Sequence, residues 1–235
     1  MTKSVGIIQS NYIPWKGYFD FIDRVDEFII LDDAQYTKRD WRNRNVIKSP
    51  NGPTWLTIPT KSKGKFESKI EDIEVAGVGW ADKHWSTLSQ FYKRANFFSK
   101  NEQWAKTLYE EASGLTHLSE VNALFRTEIC TFLGITTPIL WSRAWPTESK
   151  RTERLIELCQ AVGADEYVSG PSAKSYLEPQ LFEAHNIKLR FMEYSGYPEY
   201  PQLWGDFVHN VSILDVIFNV GEDAASSVLP NRQST

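Results

Sequence analysis

The chain has 235 residues, 41% of them hydrophobic, a globular composition that can bury one sizeable core. A net charge of −4 excludes broad nonspecific nucleic-acid binding, which needs an extended basic surface, so any phosphate recognition must be local. The first apolar run is too short for a signal-peptide core and no later stretch has the length of a transmembrane helix, so a cytoplasmic protein without membrane insertion is expected. Cys130 and Cys159 lack metal or disulfide spacing and read as buried thiols.

Residues 5–8 form a short apolar run that breaks into Gln9-Ser10-Asn11-Tyr12-Ile13-Pro14-Trp15, poor material for a helix interior or a strand. From Trp15 the residues Tyr18, Phe19, Ile22 and Val25 or Phe21 recur at helical spacing. A second apolar run over 27–31 ends in Asp32-Asp33. Strand, loop, helix and strand make a βαβ unit, which puts its polar loops at the carboxyl ends of parallel strands, where open sheets bind ligands. Residues 36–48 then carry Lys38, Arg39, Arg42, Arg44 and Lys48 against one acid, Asp40, reversing the sign of the whole chain. One cleft is therefore expected to gather these cations with the carboxamides of Gln9, Asn11, Gln35, Asn43 and Asn45 and the rings of Tyr12, Trp15, Tyr36 and Trp41. Arginine forks suit phosphate or carboxylate, and aromatic faces suit a base or a sugar ring. The competing reading is a solvated basic turn with its aromatics in the core.

Further along, Pro50-Asn51-Gly52-Pro53 marks the turn of a hairpin over 46–60. Lys61, Lys63, Lys65 and Lys69 form a basic loop suited to a lid over an anion or, equally, to solvent. The alternation over 70–75 predicts a half-exposed strand. Residues 80–133 carry three helical patterns, the last closed by Gly134, and read as a helical insertion or cap at about 80–134 within a single domain spanning 1–235. The strand and helix alternation resumes with a strand at 138–141, a helix over 152–162 and a strand at 166–168. Ser169-Gly170-Pro171-Ser172 then leads into a predicted helix start, an arrangement that can hold phosphate on free amides or be a plain capped turn. A last strand over 188–194 and an apolar helix over 212–220 complete the pattern. Asp215 in that helix needs a buried partner, an arginine or a backbone amide, and the tail from 224 is expected to fray. The fold class is α/β, a mostly parallel Rossmann-like sheet with a helical insertion or cap.

The strings QSNYIPWKGYFDFI, LDDAQYTKRDWRNRN, GPTWLTIP and YPQLWGDFVHNVSILDVIFNVG, in that order through nearly the whole chain, resemble the WbqC-like protein family of bacteria. The resemblance implies a place in O-antigen or other surface-polysaccharide synthesis and a link to adding an acyl or aminoacyl group to an amino sugar. Ser10 departs from the family pattern, which commonly has proline after the glutamine, a change expected to loosen the first loop.

No standard catalytic signature is present, and the four histidines are scattered. Asp32 or Asp33 is the candidate general base, with Arg or Lys opposing oxyanion charge. The leading reading is a transferase acting on a nucleotide-linked amino sugar. Its donor is carried on phosphopantetheine, with an acyl carrier protein as a candidate partner and no metal required. A nucleotidylyltransferase-like enzyme would instead use Mg²⁺ on Asp32 and Asp33. That alternative lacks the H-x-G-H signature, since Trp15-Lys16-Gly17-Tyr18 stands in its place. A noncatalytic sugar-nucleotide binding or scaffold protein is the third reading.

Overall fold

A computed structural model describes residues 2–64 and 67–230. Its centre is a five-stranded parallel sheet built from β1 (Ser4–Ile8), β2 (Glu27–Ile30), β5 (Ile139–Trp141), β6 (Glu166–Ser169) and β7 (Lys188–Phe191). The strands lie in the order β5-β2-β1-β6-β7, with β3 (Arg44–Ser49) and β4 (Gly52–Thr57) forming a separate antiparallel hairpin. The chain therefore runs outward from β1 through β2 to β5, then crosses back to the other side of β1 for β6 and β7.

Alternation along the strands sorts two cores. Val5, Ile7, Ile29 and Tyr167 face one side, where α5 (Arg151–Ala161) and α6 (Pro179–Ala184) supply Leu155, Ile156, Leu158, Cys159 and Phe182. Phe28, Ile30 and Val168 face the other, against Tyr18, Phe19, Phe21 and Ile22 of α1 (Lys16–Asp23). Gly6 sits on that second face because a Cβ there would lie 2.8 Å from the Phe21 ring and 2.9 Å from Phe28. The second core continues without a break into α2 (Trp80–Tyr92), α3 (Phe98–Ser113) and α4 (Leu118–Phe132), and into α7 (Ile213–Val220). The helical block thus shares its core with the sheet.

Two expected elements differ. Residues 70–75 are not a strand: a 3-10 turn spans Ile70–Asp72, and isolated bridges pair Thr60 with Val75 and Glu74 with His117. Ile70 and Ile73 are both fully buried, and side chains three apart eclipse on a 3-10 turn, so a three-residue period prevails over the alternation. The tail also holds structure as far as residue 230. Helix α8 (Ala224–Val228) packs on α1 and α7 through buried Ala224, Val228 and Leu229, apolar positions hidden in a polar composition. Residues 231–235, and Lys65 of the basic loop, lie outside the described residues.

Asp215 is fully buried, yet its partners are neither arginine nor backbone amide. It accepts hydrogen bonds from the hydroxyls of Tyr92 and Tyr200 and from Gln202 Nε2, each at 2.7 Å. Burial pushes its carboxyl up, while these donors and the nearby Lys48 hold it down. Asn219 bonds to the Asp215 carbonyl. Both cysteines are buried, which pushes their thiols up to about 12 and makes them structural.

A polar chain crosses the main core. His84 faces the Thr57 carbonyl through Nε2 and the Tyr12 hydroxyl through Nδ1, and Tyr12 meets the Tyr109 hydroxyl at 2.8 Å. Neutral imidazole fits this pattern with Nε2 donating, and burial holds His84 down to about 4 from 6.5. The folded value lies below the unfolded one, so the stabilisation is complete above pH 6.5 and is lost as pH falls towards 4. Over that window this group alone costs the wild type about 3 kcal/mol. His84→Gln carries no such titration, so urea unfolding of both proteins should show their stability gap narrowing by that amount on acidification. A gap independent of pH would contradict the buried neutral histidine.

Candidate functional site

Between β1 and β6 the strand order reverses, and the loops leaving their carboxyl ends part to open a cleft. The cleft has a volume of about 1590 Å³. Its walls come from the loop after β1, the ends of β2 and β5, residues 146–152 leading into α5, and residues 169–178 after β6.

Arg42 is the cation that the basic string contributes to the cleft. Its guanidinium donates to Gln9 Oε1 at 2.9 Å and to Asn11 Oδ1 at 3.2 Å, with Asp40 Oδ2 at 3.3 Å. Both carboxamides are thereby turned so that their NH₂ ends remain as donors on the wall. Trp15 and Trp41 also line the cleft, the Trp41 ring lying against that of Trp55 at 5.3 Å. Trp15 folds back over the start of α1 because Gly17 has no side chain: a Cβ there would stand 2.3 Å from its ring. Tyr194 meets Trp15 edge-on at 5.0 Å, and these two rings separate the main cleft from a smaller cavity of about 420 Å³.

The other expected ligand residues are used elsewhere. Tyr12 is wholly buried in the core, and Tyr36 is buried with its hydroxyl towards Thr60. Asn45 Nδ2 donates to the carbonyls of Tyr12 and Ile13, and Asn43 Nδ2 to that of Ile58, so both hold backbone. Ile13 is kept at φ 35°, a strained value for a β-branched residue, inside that clamp. Arg44 stacks on Trp55 at 4.1 Å, out on the hairpin, and Lys48 Nζ is bonded to the Asp206 carbonyl. Lys38 and Arg39 are exposed and do not line the cleft, whereas Gln35 does. Charge density along the string is thus divided by the hairpin, which carries Arg44 and Lys48 away from Arg42.

The paired aspartates have separate environments. Asp32 is 1% exposed and accepts from the Ser10 amide at 2.8 Å, the Ser10 hydroxyl at 2.7 Å and the Ser119 hydroxyl at 2.5 Å. Ser10 therefore tightens the first loop, contrary to expectation, since proline would bring neither donor. Asp33 lines the cleft, accepting from the Ser142 hydroxyl and from Arg154 Nη2 at 2.7 Å. With their oxygens turned to different partners, the two carboxylates are not a ready pair of Mg²⁺ ligands. Among the described residues no three His, Cys, Asp or Glu side chains converge as a metal site.

Ser169, Gly170 and Ser172 all line the cleft. Ser169 accepts from the Tyr167 hydroxyl at 3.2 Å, which leaves its own O–H to donate. Beyond Gly170 the chain forms a 3-10 turn, Pro171–Ser175, and not the predicted α-helix start, so no helix dipole acts there. Of the basic loop's Lys61, Lys63 and Lys69, only Lys69 lines the cleft, while Arg143, Arg154 and Tyr194 gave no sequence signal of their own and are brought in by the fold. Lys16 gave none either. It is 1% exposed, sits about 5 Å from the rings of Tyr197, Tyr200 and Phe207, and is held down to about 8 by burial.

The fold and cleft define an α/β protein with an open cleft at the switch point of a doubly wound parallel sheet. The chain belongs to the WbqC-like protein family, which matches it over residues 9–227. It is 48% identical over 222 residues to "Uncharacterized protein Rv1507c" of Mycobacterium tuberculosis, covering 94% of this chain and 96% of that protein. No solved structure matches the chain. No helix among the described residues is long and apolar enough to cross a membrane.

The Asp33 and Arg154 pair is mostly buried, and Arg154 is also bonded to the carbonyls of Ser142 and Trp145. Removing one member of such a pair strands the other. Asp33→Ala should lower unfolding free energy by about 3 kcal/mol in urea at pH 7. A loss under about 0.5 kcal/mol, the range of an ordinary surface change, would show that the pair does not anchor the loop.

Proposed function

We propose that the protein is a transferase of surface-polysaccharide synthesis that adds an acyl or aminoacyl group to a nucleotide-linked amino sugar bound in the switch-point cleft. The observation that supports this most is the wall formed by Arg42 with the donor ends of Gln9 and Asn11, in a cleft also lined by Trp15 and Trp41. Fixed donors suit sugar hydroxyls and phosphate oxygens, and flat rings suit the sugar or base faces.

Asp33, the one of the two adjacent aspartates that reaches the cleft, is the base in this reading. The sugar amine attacks the thioester carbonyl, the C–N bond forms and the C–S bond breaks. Asp33 takes the proton from nitrogen and the departing thiolate is protonated in turn. Arg42 opposes the charge on the carbonyl oxygen. The donor is a phosphopantetheine thioester, on coenzyme A or on an acyl carrier protein, so the reaction needs no metal. A noncatalytic sugar-nucleotide binding role is the second reading, favoured by the way Ser142 and Arg154 already occupy Asp33.

A panel of UDP-amino sugars and acyl or aminoacyl thioesters, monitored by thiol release and product mass, tests the reaction. Asp33→Asn should reduce turnover at least about 100-fold, the scale of general-base catalysis. Binding of UDP-amino sugar without thiol release from any donor would favour the second reading. Arg42→Ala should weaken that binding by about tenfold, roughly 1.4 kcal/mol, while Arg44→Ala leaves it within about twofold. Equal losses in both variants would refute the placement of Arg42 alone at the cleft.

A further inference from the structure

Residues 146–152 carry no motif in the sequence, yet they form one wall of the cleft. Helix α5 starts there with its amino end at the carboxyl edge of the sheet, and its first amides have no acceptor within the helix. The N-cap residue, Lys150, supplies no side-chain cap, and no acid other than Glu153 lies in the first turn. Lys150 and Arg151 are exposed and line the cleft, and Arg143 lines it from the end of β5, stacked on Trp141 at 4.6 Å. Glu148 is the one acid of the loop on this wall.

The helix end is joined by an independent feature. Thr152 lines the cleft and is 2% exposed, yet its hydroxyl has no hydrogen-bond partner among the described residues. The hydroxyl is not one of the fully buried polar atoms left without a partner, so the small exposure of Thr152 opens to the cleft, where an anion seated on the first turn would give its O–H an acceptor. The supporting loop is firmly held: Ser149 Oγ bonds to Glu157 at 2.6 Å, and Arg154 reaches the Trp145 carbonyl at 2.6 Å.

We infer that the amino end of α5, with Lys150, Arg151, Thr152 and Arg143, is a diphosphate subsite, distinct from the Arg42 wall. The inference rests on the reading of the cleft as a nucleotide-sugar site and reassigns its phosphates, leaving the Arg42, Trp15 and Trp41 wall to the uncharged part of the ligand. A sugar nucleotide and coenzyme A both carry a diphosphate, so either substrate is a source of the group.

Arg151 lies at φ 53°, where glycine is at ease, so Arg151→Gly removes the guanidinium without opposing the backbone. Calorimetric titration with inorganic pyrophosphate compares the wild type, Lys150→Gln/Arg151→Gly, Thr152→Val and Arg42→Ala, each checked by circular dichroism. The double variant should lose at least tenfold in affinity and Thr152→Val severalfold, while Arg42→Ala stays within twofold. Wild-type binding should also weaken as salt rises. Competition by UDP-N-acetylglucosamine or by coenzyme A then identifies the source. Pyrophosphate binding that survives the double variant, or fails in Arg42→Ala instead, overturns the subsite and leaves the nucleotide-sugar reading standing. Wild-type protein that binds the UDP sugar but not pyrophosphate does the same, and binding of neither ligand overturns both.

Discussion

Asp32 closes the carboxyl end of β2 with both oxygens inside the protein, and the cleft depends on what those oxygens hold. Its donors are the Ser10 amide and hydroxyl from the loop after β1 and the Ser119 hydroxyl from α4. One turn along α4, Asn122 donates to Ser10 Oγ and to the Arg42 carbonyl. Arg42 in turn fixes Gln9 and Asn11. A continuous run of hydrogen bonds thus leads from the helical block to the cleft wall. The carboxylate would be costly to bury without these donors, and each of them is costly to bury without the carboxylate. The helical block is therefore part of the site's support, although the described cleft wall takes none of its residues.

A second buried carboxylate organises the opposite side. Asp215 is satisfied by two tyrosine hydroxyls and Gln202, with Lys16 and Lys48 as the nearby positive charges. Residues 192–212 have almost no regular structure, and they are secured through Tyr197 on Asp20, Tyr200 on Asp215 and Trp204 on the Phe91 carbonyl. Tyr194 and Tyr197 on this stretch position Trp15. A long irregular segment can in this way form an ordered wall, because its aromatic side chains end in polar atoms that find fixed partners.

The parallel sheet and the separate hairpin were legible because their evidence is local. Short apolar runs, a helical period between them and a Pro-Asn-Gly-Pro turn are readable without knowing what lies across the core. The residues of the cleft were only partly legible, because an asparagine or tyrosine looks alike whether it faces a ligand or a carbonyl. Asn43, Asn45 and Tyr12 were absorbed by backbone and core, and Gln9, Asn11, Trp15, Trp41 and Arg42 were not. The difference lies in tertiary neighbours such as Ile58, Ile13 and His84. Arg154 shows the converse: it sits inside an unremarkable helix pattern and becomes the partner of Asp33 only through the crossover from β5 to β6.

The cations of the cleft fall into two kinds, and the division bears on how a charged ligand would be received. Arg42 and Arg154 spend their guanidinium donors on protein acceptors, so their contribution is mainly to set the positions of Gln9, Asn11 and Asp33. Lys150 and Arg151 are exposed, and at that position their charge adds to the amide ends of α5. Fixed polar groups discriminate, because a ligand must match donors that cannot move; mobile surface cations attract, because they reorient at little cost. Under the proposed reading, a cleft that accepts a diphosphate and distinguishes one sugar from another uses both. Arg42 lies on the wall with Trp15 and Trp41, whereas Lys150 and Arg151 stand at the start of α5 one turn before Arg154, so in the proposed reading recognition and charge neutralisation would fall in different parts of one cleft.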